Sequence, residues 1–283
     1  MKLCISQATT MSTSFEGDLD AYARAGWEAV EVWLTKLEQF LQTRSIERTR
    51  FLFDERGLTP AAAATQGGLF ARENPERDEH WNHFRRRLEQ LGALGIPTLV
   101  IVPDFLGPVD ESAIGSMIAS LSRAVESAAE FGVTLALEFQ KSAGLCASLD
   151  TAIALVEQVD STHLGVCLDV FHYYTGPSKF EDLGYLNSCN LAWVQLSDLS
   201  GVPRELAGDS DRILPGDGDF QLGPILKQVL RLAGPQYLSL EVMNPNLWSI
   251  PADRVAAIGR QSMVRVVEGL APAEPLATSA GGA

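Results

Sequence analysis

Short apolar runs alternate with longer stretches whose apolar positions recur every three to four residues, and this rhythm continues for most of the chain. The runs "KLCISQ" (2–7), "AVEVWL" (29–34), "PAAAAT" (60–65), "TLVIVP" (98–103), "VTLALEF" (133–139), "LGVCLDV" (164–170), "LAWVQLS" (191–197) and "YLSLEVM" (237–243) read as eight strands. The third is the weakest, because its four alanines suit a helix as well as a strand. Helical patterns lie between the runs. "FEGDLDAYARAG" closes on Gly26, "LEQFLQTRSIERTRFLFDERG" on Gly57, and "DESAIGSMIASLSRAVESAAEFG" runs from Asp110 to Gly132. Glycine at these ends suits the left-handed residue that stops a helix. "NPERDEHWNHFRRRLEQLGALG" opens on Asn74–Pro75, a cap followed by proline at the first helical position. "SLDTAIALVEQV", "FEDLGYLN", "FQLGPILKQVLRLAG" and "PADRVAAIGRQSMVRVVEGL" complete the set.

A helix after each strand favours parallel pairing, since every return to the sheet needs a crossover. Eight such units predict an α/β fold, a single-domain (β/α)8 TIM barrel over residues 1–270. A doubly wound sheet would normally open with a Gly-rich turn, and "SQATTMSTS" has none. The last segment, "APAEPLATSAGGA" (271–283), is small, polar and rich in Pro and Gly, so it is expected to be disordered.

Composition narrows the function. Apolar residues make up 46% of the chain, enough for a large core. The net charge of −14 argues against nucleic acid or an anionic membrane as partner, and leaves cations and small neutral ligands open. The four cysteines, Cys4, Cys146, Cys167 and Cys189, form no CxxC pattern. Cys4 and Cys167 lie in apolar runs and read as buried thiols in a reducing compartment. The N-terminus lacks the apolar stretch of ~7–15 residues of a signal peptide, and no run approaches the ~18 of a membrane span. A cytoplasmic location is expected.

Chemistry concentrates where strands end, the rim on which barrel enzymes carry their catalytic groups. "LALE", "VCLD", "AWVQ" and "LSLE" bring Glu138, Asp169, Gln195 and Glu241 to the ends of four consecutive strands. One acid at a strand end is ordinarily a turn or cap residue; four oxygen donors on adjacent strands make that reading a poor one. Three carboxylates buried together resist ionisation, and a divalent cation resolves the conflict. Their oxygen chemistry suits Mg²⁺ or Mn²⁺, with Co²⁺ a further candidate. His172, three residues beyond Asp169, is placed to act as acid or base or to contact a substrate hydroxyl; a loop histidine packed on Tyr173 or Tyr174 is the alternative. Lys36 and Gln66 are candidates for substrate contact at the same rim, Lys36 being equally well read as an exposed helix-start lysine. Glu31 faces the barrel interior or pairs with a basic residue. Trp33, Trp193 and Trp248 read as core more readily than as sugar-stacking walls. His163 precedes its strand, at the opposite rim, and His80 and His83 sit on a helix where exposure is expected.

With "LDVFH", "VQLSD", "AGWEAVEVW" and "RILPGDGD", this set resembles the xylose-isomerase-like barrel superfamily along essentially the whole chain. That superfamily includes sugar isomerases and epimerases, inosose dehydratase and 3-dehydroshikimate dehydratase. The resemblance implies that Glu138, Asp169, Gln195 and Glu241 are the metal ligands, that His172 contacts substrate, and that Arg212 holds a substrate oxygen. Most sugar epimerases of this type carry His where this chain has Gln195, whereas Gln belongs to the dehydroshikimate dehydratase branch and adds weight to a lyase. The DNA-cleaving branch is disfavoured, since it needs extra ligands and a basic surface. The expected activity is that of a metal-dependent isomerase or epimerase acting on a carbohydrate or cyclic polyol. Glu138 or Glu241 takes a proton beside a carbonyl, and the other, or His172, returns it. A dehydratase or a keto-glycoside eliminase using the same site is the alternative, and a non-catalytic sugar-binding barrel a weaker one. The loops "DLSGVPRELAGDSDR" and "MNPNLW" hold no phosphate cradle, so a phosphorylated substrate is not expected. A homo-oligomer is compatible with this reading.

Overall fold

The computed structural model describes residues 1–70, 77–104, 109–232 and 236–270. Its strands are β1 (Lys2–Ser6), β2 (Ala29–Trp33), β3 (Thr59–Gln66), β4 (Thr98–Ile101), β5 (Thr134–Glu138), β6 (Leu164–Asp169), β7 (Leu191–Leu196) and β8 (Tyr237–Leu240). They pair in chain order and close into a barrel, β8 returning to β1, with every pairing parallel. The described helices are α1 (Phe15–Ala25), α2 (Leu34–Leu41), α3 (Ile46–Glu55), α4 (Arg77–Leu94) and α5 (Glu111–Ala129) in the first half. α6 (Leu149–Val159), α7 (Val170–Thr175), α8 (Leu222–Arg231), α9 (Pro245–Trp248) and α10 (Ala252–Glu268) follow.

The period of two along each strand separates two cores. Leu135 and Leu137 on β5, Val166 and Leu168 on β6, Val194 and Leu196 on β7, and Leu238 and Leu240 on β8 face outward into the layer shared with the helices. A second cluster fills the barrel interior with Cys4, Ala29, Ala62, Ala64, Val100, Ala136, Cys167 and Trp193. Trp193 is 2% exposed there, and mostly small residues surround it. The alanines of "PAAAAT" therefore form a strand: tertiary packing around a large indole outweighs helix propensity.

Two expectations change at the helix level. The stretch from Leu37 to Gly57 is two helices, because Ser45 caps α3 by accepting from the Arg48 N–H at 3.2 Å. "FEDLGYLN" forms a 3-10 turn (Phe180–Tyr185) in place of an α-helix. Gly26 ends α1 in the left-handed conformation, and Asp110 caps α5 as expected. The Asn74–Pro75 opening and the segment 271–283 lie outside the described residues. No helix among the described residues is long and apolar enough to cross a membrane.

Candidate metal centre

The inward-facing ends of β5 to β8 build one acidic cluster. Glu138 closes β5, Asp169 closes β6, Gln195 is the penultimate residue of β7, and Glu241 follows β8 with its N–H donating to the Leu196 carbonyl at 3.0 Å. Asp169 pairs in register with Gln195, and Gln195 with Ser239. Asp169 and Gln195 are fully buried; Glu241 and Glu138 are nearly so.

Asp169 does two jobs. Its Oδ1 caps α7, accepting from the N–H groups of Phe171 at 2.6 Å and His172 at 3.4 Å. That cap sets the D-x-x-H spacing so that the His172 ring turns back over the strand end, with Nε2 3.4 Å from Glu138 Oε1. One ligand atom each of Glu138, Asp169 and His172 lies within 4.8 Å of the other two. The second Asp169 oxygen, Oδ2, accepts from Arg212 Nη1 at 2.6 Å, and the same guanidinium nitrogen stands 3.5 Å from Glu241 Oε2.

Arg212 is 1% exposed and arrives from the loop after β7. Its Cζ lies 4.4 Å from the centre of the Phe171 ring, and its Nε and Nη2 donate to Asp209 Oδ1 at 3.0 and 2.8 Å. Asn244 Nδ2 holds its carbonyl at 2.8 Å. Burial works against this charge, but Asp169, Glu241 and Asp209 outweigh it and hold the guanidinium protonated.

Burial is also the largest influence on the acids. It pushes Glu138 well above the usual carboxylate range, the charge of Asp169 adds to this, and Arg212 opposes it. Glu241 is raised in the same way, with Glu31 adding and Arg212 opposing. Burial lowers His172, favouring a neutral imidazole. The cluster thus sets three buried carboxylates against one guanidinium that Asp209 also engages. His172 Nδ1 is buried with no hydrogen-bond partner. An excess of buried acid with a neutral imidazole beside it fits a divalent cation: Glu138, Asp169 and Glu241, with Gln195, are the residues that would hold it, and His172 stands beside them.

The sequence profile of the xylose isomerase-like TIM barrel family matches residues 19–265. The chain belongs to that family. Among its relatives is the inosose isomerase of Halalkalibacterium halodurans, 26% identical over 276 residues that cover 94% of this chain and 96% of the relative. The crystal structure of the IolI protein with a bound zinc atom superposes with a TM-score of 0.89 at 24% identity, covering 95% of this chain and 99% of that one. D-psicose 3-epimerase from Clostridium cellulolyticum H10 superposes at 0.75 with 16% identity, covering 94% and 99%.

Within this family barrel, two expected rim residues stand apart from the cluster. Lys36 Nζ donates to Asp18 Oδ2 at 2.6 Å, Thr10 O at 2.9 Å and Gln7 O at 3.4 Å. All three of its protons are engaged because α1 brings Asp18 beneath it. Gln66 is held at both ends, its amide nitrogen by the Gly67 carbonyl and its Oε1 by Arg87 Nη1 at 3.0 Å. Trp193 is core, as read from its strand position, and Trp248 Nε1 donates to Ala8 O at 2.9 Å. His163 Nδ1 lies 3.2 Å from the Val133 carbonyl, at the far end of the barrel. His83 is half-buried against Glu38 at 2.5 Å, where an exposed helix histidine was expected.

One contributor escaped the sequence reading. Asp209 anchors Arg212, and only the charge-rich "GDSDR" hinted at it. Glu31, expected to face the interior or to pair with a basic residue, takes the interior position and gathers donors from β7 and β8.

Proposed function

We propose that this protein is a divalent-cation-dependent isomerase or epimerase of a sugar or cyclic polyol. The observation that carries this is the convergence of buried Glu138, Asp169 and Glu241 with His172 and Arg212 at the C-terminal rim. Relatives named inosose isomerase and a fold neighbour named D-psicose 3-epimerase support the same chemistry. When bound, a divalent cation supplies electrophilic stabilisation to the oxyanion that develops as the proton leaves.

The chain's own residues do the rest. Arg212 is fixed by Asp169 and Asp209 and offers its charge to a substrate oxygen. Glu138 or Glu241 accepts the proton from the carbon beside the carbonyl, and the electron pair moves into the carbonyl oxygen. The other carboxyl group, or His172, returns a proton. Return to the same carbon from the opposite face inverts it, and return to the neighbouring carbon exchanges aldose and ketose. Gln195 lends support to a second outcome from the same intermediate, loss of a β-hydroxyl as in a dehydratase. Mostly oxygen donors favour Mn²⁺, Mg²⁺ or Co²⁺. Since the polar ends of Lys36 and Gln66 are engaged by protein, their part is to shape the rim.

The test pairs metal analysis with proton exchange. The parent should hold near-stoichiometric Mn²⁺ and wash deuterium from D₂O into a keto-sugar or inosose, and Glu138→Gln/Glu241→Gln should lose both. A parent that neither retains metal nor exchanges the proton overturns the proposal. Accumulation of a dehydrated product selects the lyase.

A further inference from the structure

Beneath the acidic cluster lies a carboxylate that the proposed reaction does not use. Glu31 on β2 is fully buried inside the barrel. Three donors converge on it: Trp193 Nε1 at 3.0 Å and the Ser239 hydroxyl, both at Oε2, and Gln195 Nε2 at 2.7 Å at Oε1. Two of these come from β7 and one from β8, so Glu31 reaches across the interior to the strands that carry Gln195 and Glu241.

The arrangement fixes which end of the Gln195 amide points where. Trp193 can only donate, which commits Oε2 to accepting, and Oε1 takes the amide nitrogen of Gln195. The other end of that amide, Oε1, accepts from Cys167 Sγ at 3.1 Å and is therefore turned toward β6, the strand that ends in Asp169. A free glutamine amide can rotate by half a turn and present nitrogen, which no cation accepts as a ligand. Here that rotation would bring the amide oxygen against the Glu31 carboxylate. Metal sites use the same device on histidine ligands, with an outer carboxylate holding one ring nitrogen so that the other faces the ion.

We propose that Glu31 is a positioning residue that locks Gln195 with its amide oxygen toward the cation. This rests on the reading of Gln195 as a ligand. Glu31 acts through Gln195 and touches neither substrate nor cation.

Mn²⁺ titration, followed by the loss of the free-ion EPR signal, tests this on the purified full-length protein. Glu31→Gln should weaken Mn²⁺ binding about tenfold or more, within the range for outer-shell substitutions. Glu31→Asp keeps the charge but draws the carboxylate back from Gln195, and should weaken binding by the same route; it also serves if Glu31→Gln does not fold. Gln195→Ala should weaken binding, and adding Glu31→Gln to it should cost little more, because the two residues act as one unit. If Glu31→Asp binds like the parent, or if the two losses simply add, Glu31 acts through its charge alone and the proposal is overturned while the ligand set stands. If Gln195→Ala binds like the parent, the ligand reading of Gln195 fails, and the positioning role fails with it.

Discussion

His172 occupies a position that allows two roles, and its surroundings favour one. Its ring is buried against Glu138 and Arg212, its N–H is held by the Asp169 cap, and burial keeps the imidazole neutral. A neutral imidazole beside a carboxylate can carry a proton between that group and a substrate. His172→Asn is expected to lower kcat about a hundredfold or more while Mn²⁺ affinity stays close to that of the parent. Steady-state kinetics beside metal titration checks it, and a variant that turns over normally removes His172 from proton transfer. This residue also shows how far sequence reading reaches. The D-x-x-H spacing was visible in "LDVFH", but the contact of Nε2 with Glu138 depends on two strands being neighbours, which no local pattern records.

At the scale of elements, the site depends on how β6 sits against β7 and on how the first helices grip the rim. Gly165 on β6 faces β7 so closely that an added Cβ would lie 2.8 Å from Ala192 Cβ and 3.1 Å from both the Asn190 carbonyl and the Ala192 nitrogen. Gly165→Ala should cost about 1–3 kcal/mol, read from urea unfolding, because backbone must move. It should also weaken metal binding, since the same pairing aligns Asp169 with Gln195. The buried Lys36–Asp18 pair joins the turn after β1 to α1 and α2. Burial raises the Asp18 carboxyl from 3.8 to about 6, more than Lys36 lowers it. The folded state therefore holds this proton more tightly than the unfolded chain, and stability from this group falls as pH rises from about 4 to about 6. Denaturation midpoints across that window should drop less in Asp18→Asn/Lys36→Met than in the parent; identical slopes would show that the pair does not titrate there. Lys36 was legible as a rim lysine, yet its partner lies on another helix and took it out of the site.

For the whole molecule, the excess of buried acid at one end of the barrel makes stability and metal binding a single quantity. Mn²⁺ at a hundredfold excess over its dissociation constant should stabilise the fold by roughly 2.7 kcal/mol, because only the folded chain assembles the ligands. Melting curves with Mn²⁺ and with a chelator measure this, and Glu138→Gln/Glu241→Gln should melt at the same temperature in both. The opposite end of the barrel has a different lining. A cavity of about 430 Å³ between the N-terminal ends of the strands is lined by threonines, Leu164, Trp193 and Tyr237, and its lining contains no acidic or basic side chain.

By itself the sequence determined the strands and their parallel order, because crossover helices leave little freedom once eight units are counted. It also placed Glu138, Asp169, Gln195 and Glu241 at one rim, since each ends an apolar strand. Tertiary structure alone decided the contacts between those elements. It seated Arg212 between Asp169 and Glu241, withdrew Lys36 and Gln66 into protein partners, and set Glu31 beneath Gln195. The reason is physical: hydrophobic alternation is written along the chain, whereas the partner of a buried charge is fixed by closure of the barrel, which brings together residues more than a hundred positions apart, as with Glu31 and Gln195.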